Sequence, residues 1–167
     1  MNEQAKAGNI RGIYLVGFSG SGKTAVAKLV GEILGWPSCD VDDVIAERSG
    51  LTIPVIFQQQ GEAGFRVLET EALRDASTSE QFVIATGGGT ITRPENRVFM
   101  ASKGWVICLE AKPETLLARI QNQLKESDPK AIRPMLDAII PWIKFERLST
   151  RGSPYIASRT GPYTRIA

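Results

Sequence analysis

The stretch Ile13-Tyr14-Leu15-Val16-Gly17-Phe18-Ser19-Gly20-Ser21-Gly22-Lys23-Thr24 decides the fold. Its first four residues are an apolar run of strand type, and its last eight match the pattern GxxxxGK[ST]. From Lys23 the chain turns to helical period, with Val26, Leu29, Val30, Ile33 and Leu34 at the i, i+3, i+4, i+7, i+8 spacing of one helix face, until Gly35 stops it. A strand, a glycine-rich turn and a helix in that order form a phosphate-binding loop. Its glycines let backbone N–H groups turn inward on an anion at the helix N-terminus, Lys23 adds a cation for the terminal phosphates, and Thr24 offers a hydroxyl to Mg²⁺.

Outward from this loop, short β-branched runs alternate with longer helical stretches, the pattern of a parallel sheet covered by helices on both faces. Strands are expected at Ser38–Val41, Phe82–Ala85 and Trp105–Leu109. Helices are expected at Asp43–Ser49, from Thr52 and Pro54 to Gln60, and at Glu62–Ala76, Pro94–Lys103 and Pro113–Lys125. The polar, proline-bearing segment from Lys125 to Pro134 reads as a mobile loop. Met135–Ala167 reads as helical with a break at Pro141, so that Arg151, Tyr155, Arg159 and Tyr163 share one helical face.

Composition narrows the chemistry. The 167 residues suit one domain, 1–167, and the 43% hydrophobic and 23% charged residues suit a packed globule. Twenty Lys+Arg against eighteen Asp+Glu leave a net charge of +2, too little for a nucleic-acid or membrane-surface binder, so an anionic ligand must be recognised locally. Histidine is absent, which removes imidazole bases, Ser-His-Asp and Cys-His catalysis and most zinc sites, and leaves carboxylates, Lys and Arg. Cys39 and Cys108 lie in or beside apolar runs as structural thiols. With no signal-peptide layout and no spanning apolar run, the reading is a cytoplasmic chain.

Three further groups carry chemistry. Asp40-Val41-Asp42 sits at the end of the second extended piece, where strand alternation puts both carboxylates on one side. One then holds water around Mg²⁺ while the other accepts a hydroxyl proton, although Asp42 and Asp43 equally suit the cap of the following helix. Thr86-Gly87-Gly88-Gly89 leaves the carboxyl edge of the sheet bare of side chains, where open α/β sheets take ligands. Arg66, with Glu62 at i−4 and Glu69 at i+3, is either an aimed guanidinium or a solvated surface ion pair.

Together the phosphate loop, Asp40-x-Asp42, the run Ile56-Phe57-(x)3-Gly61-Glu62-(x)2-Phe65-Arg66-(x)2-Glu69, the triple glycine and Arg133-Pro134-Met135-Leu136 resemble the shikimate kinase family over Ile13–Ala167. The resemblance implies a three-layer α/β/α architecture of the nucleoside monophosphate kinase type, with a central parallel sheet and a lid. It implies transfer of the γ-phosphoryl of ATP to the 3-hydroxyl of shikimate, with Mg²⁺ as cofactor, by a monomer. Carried over residue by residue, Lys23, Asp42 and Arg133 are catalytic. Gly20, Ser21, Gly22, Lys23, Thr24, Ala25, Arg119 and Arg133 hold ATP, with Thr24 and Asp40 on the metal. Asp42, Phe57, Phe65, Arg66, Gly87, Gly88, Gly89 and a late arginine line the shikimate site. The lid falls at about 121–136 and the substrate-binding helices at about 43–76.

This sequence departs from the family pattern in three places. The segment from Arg119 to Arg133 is longer than usual. Arg151 fits the usual distance of the late arginine from Arg133, whereas Arg159, with Tyr163 at i+4, fits the local pattern and is preferred. The family's fifth strand and terminal helix are not expected here, which suggests a shortened carboxyl end. The alternatives are a kinase of another small polyol acid such as gluconate, and a nucleotide-binding relative without catalysis; no Asn-Lys-x-Asp motif supports a GTPase.

Overall fold

The structure is a computed structural model that describes residues 12–126 and 163–166. The chain divides into two compact units, residues 1–110 with 162–167, and residues 111–161.

The first unit is built on five parallel strands: β1 (Ile13–Gly17), β2 (Ser38–Asp40), β3 (Val83–Ala85), β4 (Trp105–Leu109) and β5 (Tyr163–Ile166). Their order across the sheet is β2-β3-β1-β4-β5, with Ile13 opposite both Val83 and Trp105 and Val106 opposite Tyr163. The fifth strand corrects the helical reading of the carboxyl end. Tyr163 opens a strand beside β4 and cannot share a helical face with Arg151, Tyr155 and Arg159.

Alternation along the strands serves two cores. Ile13, Leu15, Val83 and Ala85 face α1 (Lys23–Leu34), whose Ala27 is buried among them with Val26 and Val30 alongside. Tyr14, Val16, Ile84 and Val106 face the opposite way. There they meet Val41 and Ile45 of α2 (Val41–Ser49), Ile56, Phe65, Ala72 and Leu73 of α3 (Ile53–Ala76), and Met100 of α4 (Pro94–Lys103). Helices on both faces of a parallel sheet make the expected three layers. Buried Tyr14 donates to Ser77 Oγ at 2.8 Å, and Ser77 in turn to Leu73 O at 2.6 Å, so the hydroxyl inside the core is satisfied.

Two helices differ from expectation. α1 turns Ala27 and Gly31 to the protein and leaves Leu29 and Ile33 more than half exposed, at 55% and 73%. Close approach explains the choice, since a Cβ on Gly31 would lie 2.9 Å from both Ser38 Cβ and Trp36 O. α3 joins the two expected helices across a kink at Gly61, the one residue of the element with non-helical dihedrals.

In the second unit the described element is α5 (Pro113–Glu126), which carries Arg119. Lys125 and Glu126, expected to open a loop, continue α5; the rest of the expected loop to Pro134, and Met135–Ala167 apart from residues 163–166, lie outside the described residues. Among the described residues no helix is long and apolar enough to cross a membrane, and Cys39 and Cys108 are both half-buried.

Candidate active site

The site gathers at the carboxyl ends of β1, β2 and β3. After β1 the chain enters α1 through Gly22, which takes the N-cap position at φ 95, a left-handed conformation that side chains resist. Gly20 at φ 78 makes the turn before it. Lys23 is buried, and its Nζ donates to Gly17 O at 3.0 Å and Phe18 O at 2.8 Å, so the ammonium is held inside the loop. Burial lowers its pKa, against the raising charges of Asp40 and Asp42. Ser21 Oγ is buried and has no hydrogen-bond partner among the described residues.

β2 ends at Asp40, two residues earlier than the reading required for Asp42. Asp40 is the N-cap of α2, its Oδ1 accepting the Asp42 backbone N–H at 2.9 Å, while its Oδ2 accepts the Thr24 hydroxyl at 2.5 Å. The two carboxylates are therefore neighbours through a helix cap, and strand alternation plays no part. One residue caps the helix as the alternative reading anticipated, but it is Asp40, while Asp42 and Asp43 occupy the first turn.

Asp42 Oδ1 is buried and finds no hydrogen-bond partner among the described residues. Its carboxyl is pushed up from 3.8 to about 6, mainly by burial, then by the charges of Asp40 and Glu69, with Lys23 opposing them. An orphaned, hard-to-ionise carboxylate in a cleft has the properties of a general base.

Arg66 is no surface ion pair. Its Nη1 donates to Glu69 Oε2 at 2.9 Å and its Nη2 to Glu62 Oε1 at 3.2 Å; Glu69 is fully buried, while Glu62 is exposed. Burial acts to lower the Arg66 pKa, and the bonds and charges of Glu69 and Glu62 outweigh it and raise the pKa. The guanidinium carbon stands 5.4 Å from the Phe65 ring centre, and Phe65 stacks on Phe57 at 4.4 Å.

The triple glycine makes the room for this assembly. A Cβ on Gly89 would lie 2.3 Å from Arg66 Nη2, and one on Gly87 would lie 2.3 Å from Glu69 Oε1 and 3.1 Å from Asp42 Oδ1. Gly88 faces the phosphate loop, where a Cβ would be 3.6 Å from Ser19 N. Bare backbone therefore lets the guanidinium, both carboxylates and the loop crowd around one turn.

The structure thus joins Lys23, Thr24, Asp40, Asp42, Phe57, Phe65, Arg66 and Gly87–Gly89 through successive contacts. Arg119 lies on α5 in the second unit, and Arg133, Arg151 and Arg159 lie outside the described residues. The depth of Glu69 and the part played by Thr90, which donates to Glu69 Oε1 at 2.6 Å, were not legible from spacing, since Thr90 stands 21 residues along the chain.

The residues present suit magnesium. A threonine hydroxyl and one carboxylate are hard oxygen donors, and Mg²⁺ keeps several waters while taking few protein ligands. No group of three or more His, Cys, Asp or Glu assembles among the described residues, as a fully caged metal would require.

A family model described as shikimate kinase matches residues 19–157, a range that includes Arg151 and stops short of Arg159. The chain is similar to the shikimate kinase of Methylococcus capsulatus, 39% identical over 140 residues that cover 84% of this chain and 74% of that protein. Among solved structures it is similar to a shikimate kinase from Acinetobacter baumannii in complex with shikimate. Identity is 32% and the TM-score 0.68, with 95% of this chain and 83% of that one covered. A gluconokinase from Sinorhizobium meliloti shares the fold alone, at 15% identity and a TM-score of 0.54 over 95% of this chain and 84% of that one.

Proposed function

Since the chain belongs to the shikimate kinase family, we propose that it transfers the γ-phosphoryl of ATP to the 3-hydroxyl of shikimate, giving shikimate 3-phosphate and ADP. The observation that carries this reading is the crowding of a half-buried guanidinium, an orphaned carboxylate and a phosphate loop around Gly87–Gly89. A carboxylate-bearing alcohol would meet Arg66 with its acid and Asp42 with its hydroxyl.

In this mechanism the loop N–H groups receive the phosphates, and Lys23 moves its ammonium from the Gly17 and Phe18 carbonyls to the transferring group. Thr24 and Asp40 would hold Mg²⁺, Asp40 through water; the ion supplies charge neutralisation on the phosphate oxygens. Asp42 takes the proton of the attacking hydroxyl, and its elevated pKa makes it a stronger base than an ordinary carboxylate while leaving it ionised near neutrality. Phe57 and Phe65, stacked on each other with Phe65 beside the Arg66 guanidinium, would wall the pocket. Arg119 and Arg133 are proposed for the nucleotide, with the segment at about 121–136 as the lid.

ADP release from ATP and Mg²⁺ tests the reading, with shikimate and gluconate offered in parallel. Release that depends on shikimate is expected; release with gluconate alone, or with neither, would overturn it.

Arg66→Ala is expected to weaken shikimate about 10- to 150-fold while changing ATP affinity little, because a desolvated charge-assisted contact contributes roughly 1.5–3 kcal/mol. For the second guanidinium, Arg151 has the support of the family match, and Arg159 loses its Tyr163 partner to β5. Arg151→Ala is therefore expected to raise the shikimate KM in the same range and Arg159→Ala less than about twofold; the reverse result would return the role to Arg159. Gly89→Ala would push the Arg66 guanidinium out of its present position and is expected to weaken shikimate in the same direction as Arg66→Ala. Equal shikimate binding by Gly89→Ala and the parent protein, read by calorimetry, would refute the crowding described here.

A further inference from the structure

Behind the site lies a column of buried polar groups that meets it at Arg66. Glu69 is fully buried, and both its oxygens are occupied: Oε2 accepts from Arg66 at 2.9 Å and Oε1 from the Thr90 hydroxyl at 2.6 Å. Thr90 is itself fully buried, in the short 3₁₀ turn Thr90–Thr92 that follows the triple glycine. Asn96, 1% exposed in the first turns of α4, donates from Nδ2 to Thr90 O at 3.1 Å. Arg93, next to α4, reaches across to Thr70 Oγ1 at 3.2 Å and Arg66 O at 3.4 Å. The turn bearing Thr90 is therefore tied to α4 on one side and to the Arg66 segment of α3 on the other.

Resting on the functional reading above, we propose that Thr90 and Asn96 are positioning residues for recognition of the substrate carboxylate, acting through Glu69 on Arg66. A buried carboxylate requires donors on both oxygens, because an unmet one carries its full desolvation cost. With the Thr90 hydroxyl in place, Glu69 cannot turn, and one side of its carboxylate faces Arg66. Without it, Oε1 is orphaned, and Glu69 either swings or draws Arg66 into bidentate pairing; both divert the guanidinium from an incoming acid. Asn96 sets the height of the turn and with it the distance between the Thr90 hydroxyl and Glu69. Neither residue reaches the nucleotide side, so the effect falls on one substrate only.

The test is a double-mutant cycle of Thr90→Val and Arg66→Ala, with Thr90→Ser as the conservative variant. Val keeps the branched shape and removes the donor; should it fail to fold, Thr90→Ala takes its place. Calorimetric affinity for shikimate, KM for shikimate and for ATP, and the urea midpoint are measured for each. Thr90→Val is expected to weaken shikimate about 5- to 50-fold and leave the ATP KM within about twofold, and Thr90→Ser is expected to restore shikimate binding. In the Arg66→Ala background, Thr90→Val is expected to add nothing. Additive losses in the cycle, equal losses for both substrates, or shikimate affinity within about twofold of the parent in Thr90→Val would each overturn the inference. A parent protein that does not phosphorylate shikimate would instead overturn the functional reading, and this inference with it.

Discussion

Replacing Lys23 by alanine is expected to lower kcat by about 10³-fold or more, the upper end of what removing one preorganised donor to a transition state costs. The expectation rests on where the ammonium is kept. Lys23 is 8% exposed and bonds to the carbonyls of Gly17 and Phe18, so it is already desolvated and a short movement from the phosphates. Charge held ready in a water-poor cleft acts most strongly as charge builds on the transferring group, so kcat falls more than ground-state affinity. Because the same bonds brace the loop, the urea midpoint must be read with the kinetics. A folded Lys23→Ala protein with near-parental turnover would remove the phosphate-loop assignment.

Asp42→Asn is expected to lose about 10²- to 10⁴-fold in kcat and at the same time to make the metal-free protein more stable at neutral pH. The Asp42 carboxyl titrates at about 6 in the folded chain against 3.8 ordinarily. The folded state therefore keeps this proton where the unfolded chain has released it. Stability from this group is full below the unfolded value and is lost as pH rises through about 6, leaving a penalty of about 2–3 kcal/mol at pH 7. Asparagine lacks that penalty. Urea unfolding of both proteins is expected to show Asp42→Asn ahead at pH 7, with the difference closing towards pH 4. ATP affinity should stay near the parent value, in contrast to Asp40→Asn, whose partner is Thr24 at the metal end. If both variants weaken MgATP equally, Asp42 belongs to the metal shell.

Local patterns were legible wherever the decisive residues are near one another in the chain. β1, the glycine-rich turn and α1 follow one another without a gap, and α4 and β4 fall at the bounds read from Pro94–Lys103 and Trp105–Leu109. The errors arise where distance in sequence hides the partner. The Arg66 cluster stayed open between an aimed guanidinium and a solvated ion pair because only the i+3 and i−4 neighbours are visible in sequence, while the turn bearing Thr90, Glu69's second partner, comes after the third strand. α1 misled through its largest residues: Leu29 and Ile33 suggest the core, yet the tight face is made by Ala27 and Gly31, whose small size admits the sheet and β2. Asp42 stayed open between strand alternation and a helix cap, because neither pattern shows that the cap is Asp40. β5 was missed because four-residue spacing from Arg151 to Tyr163 imitates a helix. The breaker pair Gly161-Pro162 just before the strand was the available signal.

The strand order also has a history in time. β1 is the first strand made, but its two neighbours are β3 and β4, and β4's outer neighbour β5 is the last of the five. On a ribosome the glycine-rich loop must wait as an unpaired strand and turn until β3 arrives, and the sheet keeps an open rim along β4 until β5 emerges. Such late, non-local pairing folds slowly, and an unfilled parallel edge is a template for association with another nascent chain. Loss of residues 163–166 would therefore be felt first in soluble yield, before any change in how the finished site handles its substrates.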